Sequence, residues 1–174
     1  MTTNPAHVAV LAGTWVADST ATTAAFHGKG IGGHQVRGTI PVNAARIEVG
    51  GSGRPLTVDA VLDATGLESG NPRRDKDLRS KRFLDVERHP VIRFTAGDVA
   101  ETAGSWTVRG TLAAAGASCP VTLDVRVVEG SPETGECRVV ATATIDRADL
   151  GIKVPSFMVR RAVRLEIDAL LRRA

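Results

Sequence analysis

Apolar and polar residues alternate with a period of two in four separate segments of this chain. Residues 56–64 carry an apolar side chain at every second position, namely Val58, Ala60, Leu62 and Ala64. The segments 121–127, 139–145 and 163–169 repeat the pattern. Successive side chains of a β-strand point to opposite faces, so the alternation predicts strands with one apolar and one wet side. The composition of residues 163–169 would also suit a helix, but strict alternation favours a strand.

Turn-forming clusters separate these segments, among them "GKGIGG", "VGGSGRP", "AAAGASCP" and "EGSPETGE". Many strands with short connections indicate an antiparallel sandwich or barrel. The length of 174 residues is that of one ordinary domain, and we expect residues 1–174 to fold as one unit. Only 3% of the residues are aromatic, so Val, Leu, Ile and Ala must supply the bulk of the interior.

One segment has the signals of a helix rather than a strand. Asn71 is suited to cap a helix N-terminus, and Pro72 fits the first helical position. Good helix formers follow, with Leu78 as the apolar anchor. The sequence therefore predicts one short, mostly exposed helix near residues 72–82.

The charge balance excludes a strongly basic or acidic protein. The chain has 22 Lys and Arg against 19 Asp and Glu, a net charge of +3, so electrostatics is not expected to be the main attraction for a partner. No apolar run reaches the roughly 20 residues of a membrane-spanning helix, and no signal peptide is recognisable. From the sequence we expect a cytoplasmic protein without stable membrane insertion.

The most basic stretch of the chain does not have the pattern of a nucleic-acid site. It contains seven cations: Arg73, Arg74, Lys76, Arg79, Lys81, Arg82 and Arg88. Four carboxylates are interleaved with them, and Phe83 is the one aromatic residue close by, whereas a single-strand binder needs exposed aromatic platforms. We interpret the stretch as a solvated helix face with internal ion pairs, and we expect no nucleic-acid partner.

Motifs for catalysis, cofactors or metals are weak. Gly28, Gly30 and Gly33 form a G-x-G-x-x-G pattern, but the β-favouring "HQVRGTIPV" follows where a dinucleotide loop needs a helix. His27 and His34 flank this turn and could approach each other, and His89 lies elsewhere, yet no carboxylate or cysteine has a supporting spacing. Cys119 and Cys137 fit neither a zinc site nor a disulfide framework. We therefore expect no cofactor, no metal and no catalytic residues.

The run "NPRRDKDLRSKRFLDVERHPVIRF" resembles the hallmark of the YceI-like family, in which a charged helix precedes a strand. "GTWVADSTATTAAF", "VRGTLAAAGASCPVTLDV" and "IDRADLGI" are similar to other segments of that family, so that the likeness spans about residues 13–171. The chain departs from the pattern at Ala21, Gly30 and Asp77, where histidines are common in the family. No role of those histidines is carried over to this chain.

The resemblance implies a lipocalin-like, eight-stranded antiparallel β-barrel that holds a polyisoprenoid, an isoprenoid quinone or a fatty-acyl lipid without catalysis. Parity on the predicted strands then assigns the ligand-binding lumen to nine residues: Trp15, Phe26, Val58, Leu62, Ile92, Phe94, Leu123, Val125 and Ile145. The small alanines at other inward positions would leave such a barrel partly empty. The protein would carry or sequester this ligand and would not catalyse a reaction on it.

The charged helix would then lie outside the barrel, as a lid over one mouth, with Leu78 and Phe83 turned inward. Arg73, Arg74 and Arg79 are candidates for contact with an anionic head group. Two other functions stay open at this point. One is a small cytosolic hydrolase or isomerase that uses a His and an Asp in the cavity, and the other is a structural barrel filled by its own side chains. Family members are often dimeric, so the resemblance also suggests that this chain forms a homodimer.

Overall fold

The computed structural model describes residues 10–51, 54–102, 105–155 and 158–174. Within these residues the chain forms nine strands and one α-helix. The elements are β1 (Gly13–Ala17), β2 (Thr23–Lys29), β3 (Gln35–Val49), β4 (Pro55–Asp63), α1 (Pro72–Arg79), β5 (Val91–Thr102), β6 (Ser105–Ala114), β7 (Ala117–Ser131), β8 (Glu136–Asp146) and β9 (Ala162–Arg173). The strands predicted in all four alternating segments are confirmed.

The strands close into a barrel. Each strand from β2 to β9 pairs antiparallel with the next, and β9 pairs back onto β2, where Ala24 lies opposite Ile167. Strand β1 occupies the same place as β2, between β3 and β9, because Trp15 pairs with both Ile47 and Arg173. Nine strands therefore make eight positions around the barrel. The predicted eight-stranded antiparallel β-barrel is confirmed.

A short turn breaks the first barrel position into two strands. The carboxylate of Asp18 accepts hydrogen bonds from the amide and the hydroxyl of Thr20, at 3.0 and 2.6 Å, and caps a 3-10 turn at Ser19–Ala21. The chain leaves the sheet for these residues and then re-enters it as β2. The alternation that indicates strands gives no sign of this interruption, because the turn depends on one side chain and its local hydrogen bonds.

Alternation along each strand separates an apolar interior from a wet exterior. On β6, Trp106, Val108 and Leu112 are buried, whereas Arg109 and Thr111 are exposed. In a closed barrel one face of every strand must point inward, so every second side chain meets the same enclosed space. The sheet thus surrounds a single apolar interior.

The two ends of the barrel are built differently. The connections 30–34, 64–90 and 115–116 and the described residues of the connection 147–161 lie at one end, which we call the helix end because it carries α1. At the opposite end the two tryptophans, Trp15 and Trp106, are 2% and 6% exposed. The indole Nε1 of Trp15 donates a hydrogen bond to the carbonyl oxygen of Leu11 at 2.9 Å. We call this the tryptophan end.

Helix α1 begins as its sequence predicts and ends three residues before position 82. The side chain of Asn71 accepts hydrogen bonds from the amides of Arg73 and Arg74, both at 3.1 Å, and Pro72 is the first helical residue. Ser80 adopts an extended backbone with ψ of 167°, so the predicted helical residues 80–82 form turns instead. No helix in the described residues has the length and apolar character needed to cross a bilayer.

Polar contacts fasten α1 to the segment that precedes it. The carboxylate of Asp75, only 6% exposed, accepts hydrogen bonds from the amide of Ser69 at 2.8 Å and from its hydroxyl. Arg74 donates to the Ser69 hydroxyl and carbonyl oxygens, each at 2.9 Å, and Arg79 donates to the carbonyl oxygen of Leu67. A buried carboxylate that is paired, as Asp75 is, holds an element in one position. Within the described residues no ion pair involves α1. The hydrogen bonds to Ser69 and Leu67 take the place of the ion pairs that the sequence predicts on the helix.

Candidate ligand-binding cavity

The barrel encloses a cavity of about 710 Å³. This volume falls within the roughly 300–1,000 Å³ that small-molecule sites occupy. Valine, leucine, isoleucine and alanine side chains from β2 to β9 form most of its wall. The nine residues that the sequence assigns to the lumen all line it: Trp15, Phe26, Val58, Leu62, Ile92, Phe94, Leu123, Val125 and Ile145. Their contact with a ligand stays a prediction.

Two aromatic rings of the lumen lie across glycines of the neighbouring strand. A Cβ atom added to Gly38 would lie 2.2 Å from Cζ of Phe26, and one added to Gly110 would lie 2.7 Å from Cζ of Phe94. The absence of a side chain at each glycine lets the ring occupy space next to the wall. The rings of Phe26 and Phe94 therefore lie along the wall and leave the lumen open.

Gly110→Ala should lower the free energy of unfolding by about 2 kcal/mol, because the added methyl group overpacks a filled site. Its Cβ would lie 2.3 Å from the backbone oxygen of Thr95 as well as against Phe94, so the backbone or the ring must move. Urea unfolding measures the effect. Gly28→Ala is the matched control, since Gly28 is likewise a glycine within a strand of the barrel, and a Cβ there would meet no atom within 4 Å. Equal stability of the two variants would contradict this account of the packing.

The cavity opens at the helix end. Five of its lining residues are exposed, and all five lie on the β2–β3 turn or on α1 and the turn after it: Lys29, Ile31, His34, Asp77 and Arg82. We call these five residues the rim. At the opposite end the lining residues Trp15, Trp106 and Leu171 are buried and form a floor. The site is thus an apolar well whose opening carries two cations, Lys29 and Arg82, against one carboxylate, Asp77.

The three arginines predicted to contact a head group differ in position. Arg74 lines the cavity, with its guanidinium donating to Ser69. Arg79 does not belong to the lining; it holds Leu67, and its buried Nε has no hydrogen-bond partner in the described part of the chain. Arg73 is exposed and lies outside the lining. Contact of these arginines with a head group stays a prediction.

Sequence reasoning missed the two rim cations, Lys29 and Arg82. Lys29 ends β2 within the glycine-rich turn, and Arg82 follows α1 in the basic run. Each is one of many surface cations when the sequence is considered alone. Only closure of the barrel brings the two segments to the same opening.

The histidines of the described residues, His27, His34 and His89, form no cluster with other ligand residues. His27 pairs with Arg37 across the β2–β3 hairpin, so it does not meet His34 as the sequence suggested. His89 lies beside the β6–β7 turn, where its Nε2 would be 2.6 Å from a Cβ at Gly116, and it is not part of the lining. Within the described residues no group of three His, Cys, Asp or Glu side chains could hold a metal ion.

Among the cysteines of the described residues, Cys137 lines the cavity. Its thiol has low reactivity. Burial, with a smaller contribution from the charge of Glu136, raises the pKa of Cys137 to about 11. Burial, with a smaller contribution from Asp149, also raises the pKa of Cys119. A thiol reacts as its thiolate, so both side chains are poor nucleophiles at neutral pH. Cys137 therefore behaves as a small apolar group of the wall.

Arg147 organises the connection between β8 and β9, a role that the sequence analysis did not assign. Its side chain is 5% exposed, and its guanidinium donates to the carbonyl oxygens of Ile152, Val154 and Val159 at 2.7, 2.6 and 2.7 Å. These bonds fold the connection against the helix end of the cavity. The available signal was the segment "IDRADLGI", which contains this arginine.

Comparison with known proteins identifies the family. A model of the YceI-like domain matches residues 15–171. The chain belongs to the YceI-like family. Among curated relatives, it is 37% identical over 70 residues to a UPF0312 protein of Yersinia enterocolitica, across 40% of this chain and 36% of that protein. It is 31% identical over 98 residues to a UPF0312 protein of Pectobacterium atrosepticum, across 55% of this chain and 51% of the relative. The chain thus spans about a third to a half of the length of these relatives.

Solved structures share the YceI-like fold. BcnA of Burkholderia cenocepacia superposes with a TM-score of 0.77 at 15% identity, over 89% of this chain and 98% of BcnA. A polyisoprenoid-binding domain from Saccharophagus degradans, implicated in plant cell wall breakdown, superposes with a TM-score of 0.68 at 14% identity. That match covers 97% of this chain and 100% of the neighbour. At these identities the likeness establishes the fold alone.

Proposed function

We propose that this YceI-like protein binds one long-chain apolar molecule in the lumen and carries or sequesters it without catalysis. The ligand class is a polyisoprenoid, an isoprenoid quinone or a fatty-acyl lipid. The observation that carries the proposal is the apolar cavity of about 710 Å³ with a floor at the tryptophan end and an opening at the rim. The polyisoprenoid-binding neighbour with the same fold supports the choice of ligand class.

Hydrophobic burial supplies the driving force for such a ligand. Apolar cavities tend to stay dry, so a hydrocarbon chain can enter without displacing well-ordered water. Each methylene group that leaves water contributes about 0.8 kcal/mol. The same cavity argues against a structural barrel filled by its own side chains. In the described residues, no specific arrangement of ionisable side chains in the site favours a hydrolase or an isomerase.

From the distribution of charge we propose an orientation for the ligand. The apolar chain would extend toward Trp15 and Trp106, and a polar or anionic head group would stay at the rim beside Lys29 and Arg82. Of the arginines proposed from the sequence, Arg74 is next to this position, and Arg73 and Arg79 would act from outside the lining. Charge-assisted hydrogen bonds from these cations would favour an anionic head group.

Organic extraction of the purified protein, followed by lipid mass spectrometry, tests the proposal. We expect one long-chain amphiphile per barrel, and saturable binding of a solvatochromic lipid probe once that ligand has been removed. Heat-denatured protein, which has no lumen, serves as the control for nonspecific lipid. An extract without such an amphiphile, together with no saturable probe binding by the emptied protein, would contradict ligand carriage.

A further inference from the structure

We propose that the helix end of the barrel is a docking surface for a bilayer of anionic phospholipid, with Ile31 as its apolar anchor. The inference rests on the proposed function, because a water-insoluble ligand must enter and leave through the rim. It goes further by naming the surface that faces the membrane and the charge of the lipids that attract it. Docking of this kind is peripheral and reversible.

Ile31 is an unusually exposed apolar side chain at the opening of the cavity. It is 64% exposed, more than any other large apolar residue of the described part of the chain. It belongs to the 3-10 turn Ile31–Gly33, in which Gly32 and Gly33 have φ of +70° and +77°. Glycine accommodates these left-handed angles, and the lack of side chains beside Ile31 makes the tip narrow. A narrow tip with one large apolar side chain suits shallow entry between lipid head groups.

The net positive charge of the protein is concentrated at the same end. The helix-end connections 30–34, 64–90, 115–116 and 147–161 contain eleven Lys or Arg against six Asp or Glu, a net charge of +5. The whole chain has a net charge of +3, so the rest of the protein is net negative. A protein with this polarity turns its helix end toward an anionic surface.

Two of these cations, and Lys29 at the end of β2 beside them, are available for a partner. In the part of the chain that the structure describes, no ion pair involves Lys29, Arg82 or Arg160. The amide of Arg160 donates to the carbonyl oxygen of Lys29 at 2.9 Å, and Gly30 forms a bridge with Val159. These contacts place Arg160 beside the turn that carries Ile31. The apolar anchor, the unpaired cations and the cavity opening thus share one face of the molecule.

The aromatic content that the described residues contribute to this face favours a lipid surface over nucleic acid. Sequence-independent binding of single strands uses exposed aromatic side chains on which bases stack. Phe83, the aromatic residue of the basic run, is half-buried and lines the cavity. An exposed isoleucine contributes to binding a bilayer but offers no stacking surface for a base.

Vesicle co-sedimentation tests the proposal on the full chain. We expect vesicles of phosphatidylcholine and phosphatidylglycerol at a 3:1 ratio to bind the protein at least about tenfold more strongly than pure phosphatidylcholine at low salt, with the difference shrinking as salt screens the charges. Ile31→Asp should reduce the partition coefficient for the mixed vesicles about tenfold or more. Leu56→Asp is the matched control, because Leu56 is 51% exposed at the start of β4, at the tryptophan end.

Two results of the co-sedimentation alone would overturn the docking surface. One is equal binding of the wild-type protein to both kinds of vesicle, and the other is an equal loss of binding in the Ile31 and Leu56 variants. Displacement of the vesicles by a stoichiometric amount of single-stranded oligonucleotide would instead identify nucleic acid as the partner and also overturn it. Extraction of the wild-type protein is independent of these readouts. If it yields a ligand while vesicles do not bind, docking alone fails; if vesicles bind and no ligand is found, carriage alone fails.

Discussion

Ala141→Trp should weaken binding of a long-chain probe about a hundredfold. Ala141 is 6% exposed, lies in the middle of β8 and lines the cavity, where it pairs with Val125 and Ile167. An indole at this position would occupy lumen that the ligand needs. Excluding about four methylene groups costs about 3 kcal/mol, which corresponds to about a hundredfold in affinity. Titration of the emptied protein with a solvatochromic lipid probe measures the change.

A second lumen variant and a surface variant make this result specific. Ala60→Trp places the same indole on β4, which lies four barrel positions from β8, and should weaken binding in the same way. Ala100→Trp, at an exposed position of β5, should bind the probe as the wild-type protein does. Because overpacking also costs stability, each variant is first shown to unfold cooperatively in urea. Undiminished probe binding by both lumen variants in their folded state would refute binding inside the barrel.

Arg147→Met should lower the free energy of unfolding by about 4 kcal/mol. Methionine retains much of the side-chain length but removes every donor, so the carbonyl oxygens of Ile152, Val154 and Val159 lose their shared partner. A buried polar group left without a partner costs about 1–3 kcal/mol, and three oxygens are affected. Urea unfolding gives the stability, and hydrogen exchange of residues 158–163 should show faster opening of the connection in the variant.

Arg161→Met is the matched control for this effect. Arg161 belongs to the same connection, but its ion pair with Asp146, at 2.6 Å, is exposed. Exposed pairs contribute about 0–1 kcal/mol, so this variant should remain close to the wild-type protein. Arg147→Lys should recover only part of the loss, because an ammonium group lacks the planar fork that reaches several carbonyl oxygens at once. A loss below 1 kcal/mol in Arg147→Met would show that water satisfies the three carbonyl oxygens instead.

The position of the lumen residues was predictable from the sequence for a simple reason. Phe94 and Ile92 share one face of a strand, as do Leu123 and Val125, and alternation alone reveals which side chains share that face. Resemblance to the YceI-like family then supplied closure, which makes the apolar face the inner one. The start of α1 was equally predictable, because Asn71 and Pro72 act on the amides next to them.

The polar details of the site were not predictable in this way. Arg79 donates to the carbonyl oxygen of Leu67, which precedes α1 in the chain, and no pattern in the sequence indicates this contact. Arg147 was one basic residue among 22, and its role depends on three carbonyl oxygens that only the folded connection brings to it. The rim brings together the β2–β3 turn and α1, and no local sequence pattern indicates that these two segments lie side by side.

The sequence by itself determined the strands, the side of each strand that is apolar, the start of the helix and the family. These properties depend on neighbours within a few residues or on a motif that can be read along the chain. Tertiary structure decided where the lumen opens, which cations surround that opening and which arginine holds the loops over it. Those properties depend on segments far apart in the chain, and they come together only when β9 pairs with β2 and the sheet closes.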